Sequence, residues 1–243
     1  SGGGAGRRGI GRGCTCVVRP PAAARPAAHG YGCRWLVRDQ AKLARVPALR
    51  DVPITDIVVG DVTDRADVER ALDGCTHLVH AAAHVSLAER DAEQAHAVNV
   101  GGTQLVMGTA AARAIKSVYI SSVSVFGVGH SVVTVDTPLT DARGSYTRSK
   151  VQAEQIVRSL QAEGAPIAIV YPGGVLGPDS PDLSVNHVAL VAWLRTPPRP
   201  PSHTSTVQAR DGAEGTDRPL DAPARWRLVD HPPPWPRLTP PPR

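Results

Sequence analysis

The chain has 243 residues, 42% apolar and 20% charged, which is long enough for one sizeable core. Its formal charge of +5 is uneven: residues 1–32 carry 5 Arg and no acid, 33–195 carry 15 basic against 17 acidic residues, and 196–243 carry 7 Arg against 5 acids, giving +5, −2 and +2. The basicity thus lies outside the organised middle, and it lacks the Lys and aromatic mixture of a nucleic-acid surface, so no nucleic-acid partner is expected.

Residues 1–32 are rich in Gly and Arg. Gly3, Gly6 and Gly9 fit Gly-x-x-Gly-x-x-Gly, the spacing of a loop whose backbone N–H groups approach a pyrophosphate at a helix N-terminus. Such a loop needs a strand before it and a helix after it. Only two residues precede Gly3, and Gly11, Gly13, Pro20, Pro21 and Pro26 follow, so a degenerate, flexible tail is the competing reading. Cys14 to Val18 is the one candidate for a first strand; it is short and lies after those glycines.

From Cys33 the text becomes orderly, and Cys33 to Asp39 reads as a strand. Ile54 to Val62 is the next strand and turn, with Asp61 able to cap a helix running through Val68 and Leu72. Thr76 to His84 is a strand followed by small residues. His77, His80 and His84 do not make a metal site, because strand alternation sends His77 and His80 to opposite faces and no acid or Cys completes the set. A helix runs through Ala95, Val98, Val106 and Met107.

Val118-Tyr119-Ile120 is a β-branched run of the kind buried on both faces of a parallel sheet. Ser121 and Ser122 leave its carboxyl end, where open α/β sheets bind ligands. Tyr146 and Lys150 open a helix carried by Val151, Ile156, Val157 and Leu160, so the phenol and the amine project on one face. A nearby cation favours the phenolate and brings a group of pKa near 10 toward the working range of a general acid or base. Pro166 to Val170 is another buried strand, ending in a Pro172-Gly173 turn. A short apolar helix at Val188 to Leu194 follows. Residues 196–243 hold 13 of the 23 prolines and read as a disordered tail.

Taken together, Ser121-Ser122-Val123-Ser124-Val125-Phe126-Gly127 followed by Tyr146 to Lys150 resembles the extended short-chain dehydrogenase/reductase family, which includes NAD-dependent epimerases, dehydratases and reductases. The resemblance implies a doubly wound, Rossmann-like α/β sheet over 33–195, incomplete at the first strand and lacking most of the C-terminal substrate portion. It implies Ser122 as the catalytic serine, with Ser124 the weaker alternative, Tyr146 as the acid/base, and Lys150 as the residue that holds the nicotinamide ribose. Asn99 would support that relay. For the cofactor it implies Gly3, Gly6 and Gly9 at the pyrophosphate, Asp61 and Val62 at the adenine, Ala81 and Ala82 along the backbone path, and Pro172 over the nicotinamide. Arg38, at the end of the second strand, favours NADP over NAD. Tyr171 departs from the arginine usual before that proline.

The expected function is NAD(P)-dependent redox chemistry at a carbonyl/alcohol carbon of a small molecule, with a homodimer compatible. The alternative is an inactive or non-catalytic NAD(P)-binding remnant or interaction module; an arginine-rich nucleic-acid binder is a weaker third. Cys14, Cys16, Cys33 and Cys75 show neither zinc nor disulfide spacing, and no apolar run spans a membrane. A cytoplasmic protein with no metal and no membrane partner is expected. Both ends read as family text that has been lost, for which a shifted reading frame in a G+C-rich gene is one explanation.

Overall fold

Six short strands lie side by side in one parallel sheet: β1 Cys14–Val17, β2 Cys33–Val37, β3 Asp56–Val59, β4 His77–His80, β5 Lys116–Ile120 and β6 Ile167–Val170. Their order is β3-β2-β1-β4-β5-β6. This is a computed structural model, and it describes residues 14–17, 32–44, 54–86, 88–127, 133–134, 136–141, 144–176 and 206–208. The order is that of the doubly wound fold the sequence predicts. All neighbours run parallel, so every strand ends on the same edge, and the order reverses beside β1, the position at which open α/β sheets bind ligands.

Burial explains why these segments are strands. Trp35 and Leu36, then Leu78, Val79 and His80, then Ser117, Val118 and Tyr119 are buried as consecutive residues rather than alternate ones. Only a strand covered on both faces has that pattern.

The first strand lies before residue 33, where the orderly part of the sequence begins. Cys14–Val17 sits between β2 and β4, with Cys14 in register with Cys33 and His77, and Val17 in register with His80. A central strand draws its hydrogen bonds from both neighbours, so four residues suffice to hold the position that the sequence leaves incomplete. Within the span expected as a tail, Thr206–Gln208, β8, pairs in parallel with β7, Gly174–Leu176, and the rest of 196–243 lies outside the described residues. The helix expected over Val188 to Leu194 lies outside the described residues.

Helices cover the sheet. After the short α1, Ala41–Ala44, helix α2, Arg65–Leu72, is capped by Asp64, whose carboxylate accepts from the Asp67 N–H; it buries Val68, Ala71 and Leu72. Next come α3, Ala92–His96, a π-helical turn, Ala97–Gly102, and α4, Thr103–Ala112, which buries Thr103, Val106, Met107 and Ala110 at helical spacing. Helix α5, Ser145–Ala162, buries Ala153 and Val157 in the same core, and on the same face it buries Lys150 and Glu154. Among the described residues no helix is long and apolar enough to cross a membrane.

One glycine fixes the spacing. A Cβ on Gly102 would stand 2.8 Å from Val62 Cγ2, so the π-helical turn approaches the end of β3 only because position 102 has no side chain.

Candidate active site at the carboxyl edge of the sheet

Strand β5 carries the serines to the edge. The Ser121 N–H donates to the Val170 carbonyl at 2.8 Å, extending the pairing with β6, and the chain then turns into a 3-10 segment, Val123–Phe126. Ser122 caps that segment in extended conformation. Its Oγ accepts from the Ser124 N–H at 3.2 Å and from the Ser124 hydroxyl at 3.0 Å. Both bonds arrive at the oxygen, so the Ser122 proton is left to donate outward. Ser124 thus orients Ser122. The Val123 N–H donates to the Pro172 carbonyl at 3.1 Å, which ties this turn to the loop after β6.

On α5, Tyr146, Lys150 and Glu154 follow one another at four-residue spacing. Lys150 is 2% exposed. Its Nζ donates to the Tyr119 phenol oxygen at 2.9 Å and to the Ile120 carbonyl at 2.8 Å, and it lies 4.5 Å from the centre of the Tyr119 ring. Burial lowers the Lys150 pKa to about 7, against the opposing pull of the Glu154 carboxylate. Tyr146 is half-buried and close enough for its charge to disfavour ionisation of Tyr119. The predicted phenol and amine thus share one buried neighbour.

That neighbour belongs to a deeper polar layer. Tyr119 is in register with His80 across β4 and β5, and the two rings stand 5.8 Å apart. His80 is fully buried, shares a hydrogen bond of 3.0 Å with Thr103 Oγ1, and is pushed by burial down to about pKa 3, so it stays neutral. Burial raises the Tyr119 phenol well above its ordinary value.

A second layer surrounds Glu154, which is fully buried. Its carboxylate accepts from Ser121 Oγ at 2.5 Å, Tyr171 Oη at 2.7 Å and Arg158 Nε at 2.9 Å. Tyr171, the departure from the family pattern, completes this cluster.

Asn99 lies in the π-helical turn, an irregularity that frequently marks functional sites. Its amide clamps the loop after β4, accepting from the His84 N–H at 2.7 Å and donating to the His84 carbonyl at 3.0 Å. The same amide nitrogen donates to Ser149 Oγ at 2.9 Å, and Ser149 donates to the Tyr146 carbonyl at 2.7 Å. Asn99 therefore reaches Tyr146 through the backbone of α5.

The residues predicted for the cofactor lie along the same edge where they are described. Arg38 is exposed just past β2. Asp61 follows β3, and its Oδ1 accepts from both the N–H and the hydroxyl of Thr63. The helix-capping role open to Asp61 falls instead to Asp64. Val62 is buried against Gly102, and Ala81 and Ala82 are half-buried beyond β4. Pro172 is half-buried past β6. Gly3, Gly6 and Gly9 lie outside the described residues, and in the chain they precede β1. Two buried polar atoms near the edge, His84 Nε2 and Ser145 Oγ, have no hydrogen-bond partner among the described residues, as is also true of Trp35 Nε1 and His80 Nδ1 in the core. No group of three or more His, Cys, Asp or Glu suited to a metal occurs among the described residues.

Tyr119, Glu154, Thr103 and His80 are not marked by the sequence as site residues. Glu154 carries a usable signal, a carboxylate one turn beyond Lys150 on the apolar face of α5. Tyr119 carries none beyond burial.

The model of the NAD dependent epimerase/dehydratase family matches residues 23–195. The chain belongs to that family. Among its relatives are a Synechocystis protein provisionally named a dihydroflavonol 4-reductase, 33% identical over 77% of this chain and 55% of the relative, and a 3-beta-hydroxysteroid dehydrogenase of Mycolicibacterium neoaurum, 34% identical over 55% of this chain and 40% of the relative. A short-chain dehydrogenase/reductase superfamily protein from Agrobacterium tumefaciens, solved with bound NAD, superposes with a TM-score of 0.57 at 25% identity, covering 68% of this chain and 49% of that one. The UDP-glucose 4-epimerase of Thermus thermophilus, solved with NAD, gives 0.68 at 20% identity over 86% of this chain and 74% of that one, a likeness of fold. The chain spans about half the length of the curated relatives of this family that it matches.

Proposed function

We propose that this chain is the cofactor-binding and proton-transfer part of an NAD(P)-dependent oxidoreductase that acts on a carbonyl/alcohol carbon of a small molecule. The observation that carries the reading is the grouping around β5: Ser122 at its tip, Lys150 bonded to its Ile120 carbonyl, and Tyr146 one turn before Lys150. A bound nicotinamide cofactor supplies or accepts the hydride. Ser122, with its own proton unspent, donates to the substrate oxygen and orients it. Tyr146 moves that oxygen's proton, and Lys150 holds ribose hydroxyls and biases the phenol toward ionisation. Asn99 keeps the loop after β4 in step with α5.

Arg38 suits a 2′-phosphate, which favours NADP over NAD, and Asp61 keeps one carboxylate oxygen for the adenine amino group. Relatives named as reductases and dehydrogenases favour a hydroxysteroid-like or flavonol-like ketone over a nucleotide sugar. We place the protein in the cytoplasm, with a homodimer compatible and no nucleic-acid or membrane partner.

The test is turnover by the full chain with NADPH or NADH and a panel of such ketones, followed by loss of reduced nicotinamide absorbance. Tyr146→Phe should lower the rate by at least about 100-fold. An unchanged rate would refute the assignment of Tyr146.

A second reading, a non-catalytic remnant or interaction module, is favoured by one observation. After β1 the chain reads Val18-Arg19-Pro20-Pro21, and the first glycine is Gly30, so the sequence after the strand lacks the close glycines of a pyrophosphate-binding turn. Cofactor binding without turnover on any ketone of the panel supports this module over the enzyme.

A further inference from the structure

Lysine has three N–H donors and, once buried, must place them or lose their solvation. For Lys150 two are placed on β5, on the Tyr119 phenol oxygen at 2.9 Å and the Ile120 carbonyl at 2.8 Å. The Ile120 carbonyl is backbone and is present whatever the side chain. The phenol oxygen is a choice of side chain, since phenylalanine would fill the same core volume without it. Tyr119 is itself 1% exposed and its ring lies tilted beside His80, so its oxygen has little freedom to move.

Resting on the proposed function, we infer that Tyr119 is a positioning residue: its phenol oxygen and the Ile120 carbonyl fix two donors of Lys150, leaving the third N–H to face the ligand beside Ser122. Strand β5 then sets both the serine and the lysine, and their separation does not depend on the exposed part of α5. The arrangement requires Tyr119 to remain a neutral phenol, which its burial favours; Tyr146 is half-buried. The titratable groups acting on Lys150 or on its phenol partner are Glu154 and Tyr146 on α5, His80 on β4, Tyr119 on β5 and Tyr171 after β6. Of these, Tyr119 is the one that accepts a hydrogen bond from the amine.

The experiment exploits the three lysines of the chain, Lys42, Lys116 and Lys150. The full chain, labelled with ¹⁵N at lysine side chains, is titrated by NMR, and Lys150 is assigned with Lys150→Arg. Lys150 should show a midpoint near pH 7. Tyr119→Phe should lower that midpoint by about one pH unit, a tenfold change, because the charged amine loses an acceptor while the ring stays. It should also weaken NADPH binding at pH 7.5 when measured on the folded variant, a loss beyond the stability cost of the missing acceptor that a purely structural role does not give. A Lys150 midpoint that ignores Tyr119→Phe, or that coincides with Lys42 and Lys116, overturns the inference. Should Tyr119→Phe fail to fold, the unaltered chain decides: a nuclear Overhauser contact between the Lys150 side chain and the Tyr119 ring is expected, and its absence overturns the inference. NADPH titration of the same sample judges the proposed function separately; a Tyr119-dependent midpoint without cofactor binding refutes that function and leaves the placement of Lys150 standing.

Discussion

The Ser121 hydroxyl donates to the fully buried Glu154 carboxylate across 2.5 Å, joining the end of β5 to the middle of α5. Ser122 sits one residue beyond this bond and Lys150 one turn before Glu154, so the same contact sets the register between the strand and helix that carry the site. A buried carboxylate is tolerable only when its lone pairs are filled, and Arg158, Tyr171 and Ser121 fill them.

Replacing Glu154 with Leu should therefore destabilise the protein by roughly 2–4 kcal/mol, read from urea unfolding, since three donors lose their acceptor. Glu154→Gln should cost less. Because the Glu154 charge raises the Lys150 pKa, both substitutions should move the Lys150 midpoint below about 7.

Asn99 makes its three bonds to groups that have few alternatives: the His84 N–H and carbonyl, and the Ser149 hydroxyl. Asn99→Ala should cost about 2–3 kcal/mol and speed hydrogen exchange of the His84 amide, with little change at the amides of β5. Equal loss of protection everywhere would show that Asn99 is only a general stabiliser.

Two adjacent glycines separate crowding from helix propensity. A Cβ on Gly102 would meet Val62 Cγ2 at 2.8 Å, while nothing lies within 4 Å of one on Gly101. Gly102→Ala should lower stability by about 1–3 kcal/mol, and Gly101→Ala should be neutral or raise it by up to about 1 kcal/mol. Thermal melts of the two variants should move in opposite directions or differ clearly.

Stability should fall with acidification in two windows, because His80 and Lys150 both have depressed pKa values in the folded state. For Lys150, ordinarily near 10.5 and lowered to about 7, the contribution is present above 10.5 and is lost as pH falls through about 7. For His80, ordinarily near 6.5 and lowered to about 3, it is present above 6.5 and lost as pH falls through about 3. Each group accounts for a slope of up to about 1.4 kcal/mol per pH unit within its window. Urea unfolding across the pH range should show Lys150→Met flattening the upper window and His80→Phe the lower one.

Much of this arrangement is legible in the sequence, for local reasons. Consecutive burial in Leu78-Val79 and Val118-Tyr119 follows from their apolar runs, and the shared face of Tyr146 and Lys150 follows from helical spacing. The partner of the Lys150 amine is not legible, because whether it meets Tyr119 depends on how α5 crosses β5, and no local spacing encodes that crossing. Cys14–Val17 is short enough to be mistaken for part of a tail, and its role depends on β2 and β4 being there to flank it. The capping of α2 by Asp64 rather than Asp61 is a choice between two carboxylates three residues apart, settled by which one reaches the Asp67 N–H.

The most direct measurement is a titration of the full chain with NADPH and with NADH, following the emission of the reduced nicotinamide. The account predicts saturable binding in the micromolar range, tighter for NADPH, weakened at least about tenfold by Lys150→Met and left nearly unchanged by Ser122→Ala. No binding of either cofactor at millimolar concentration, or binding indifferent to Lys150→Met, would contradict it.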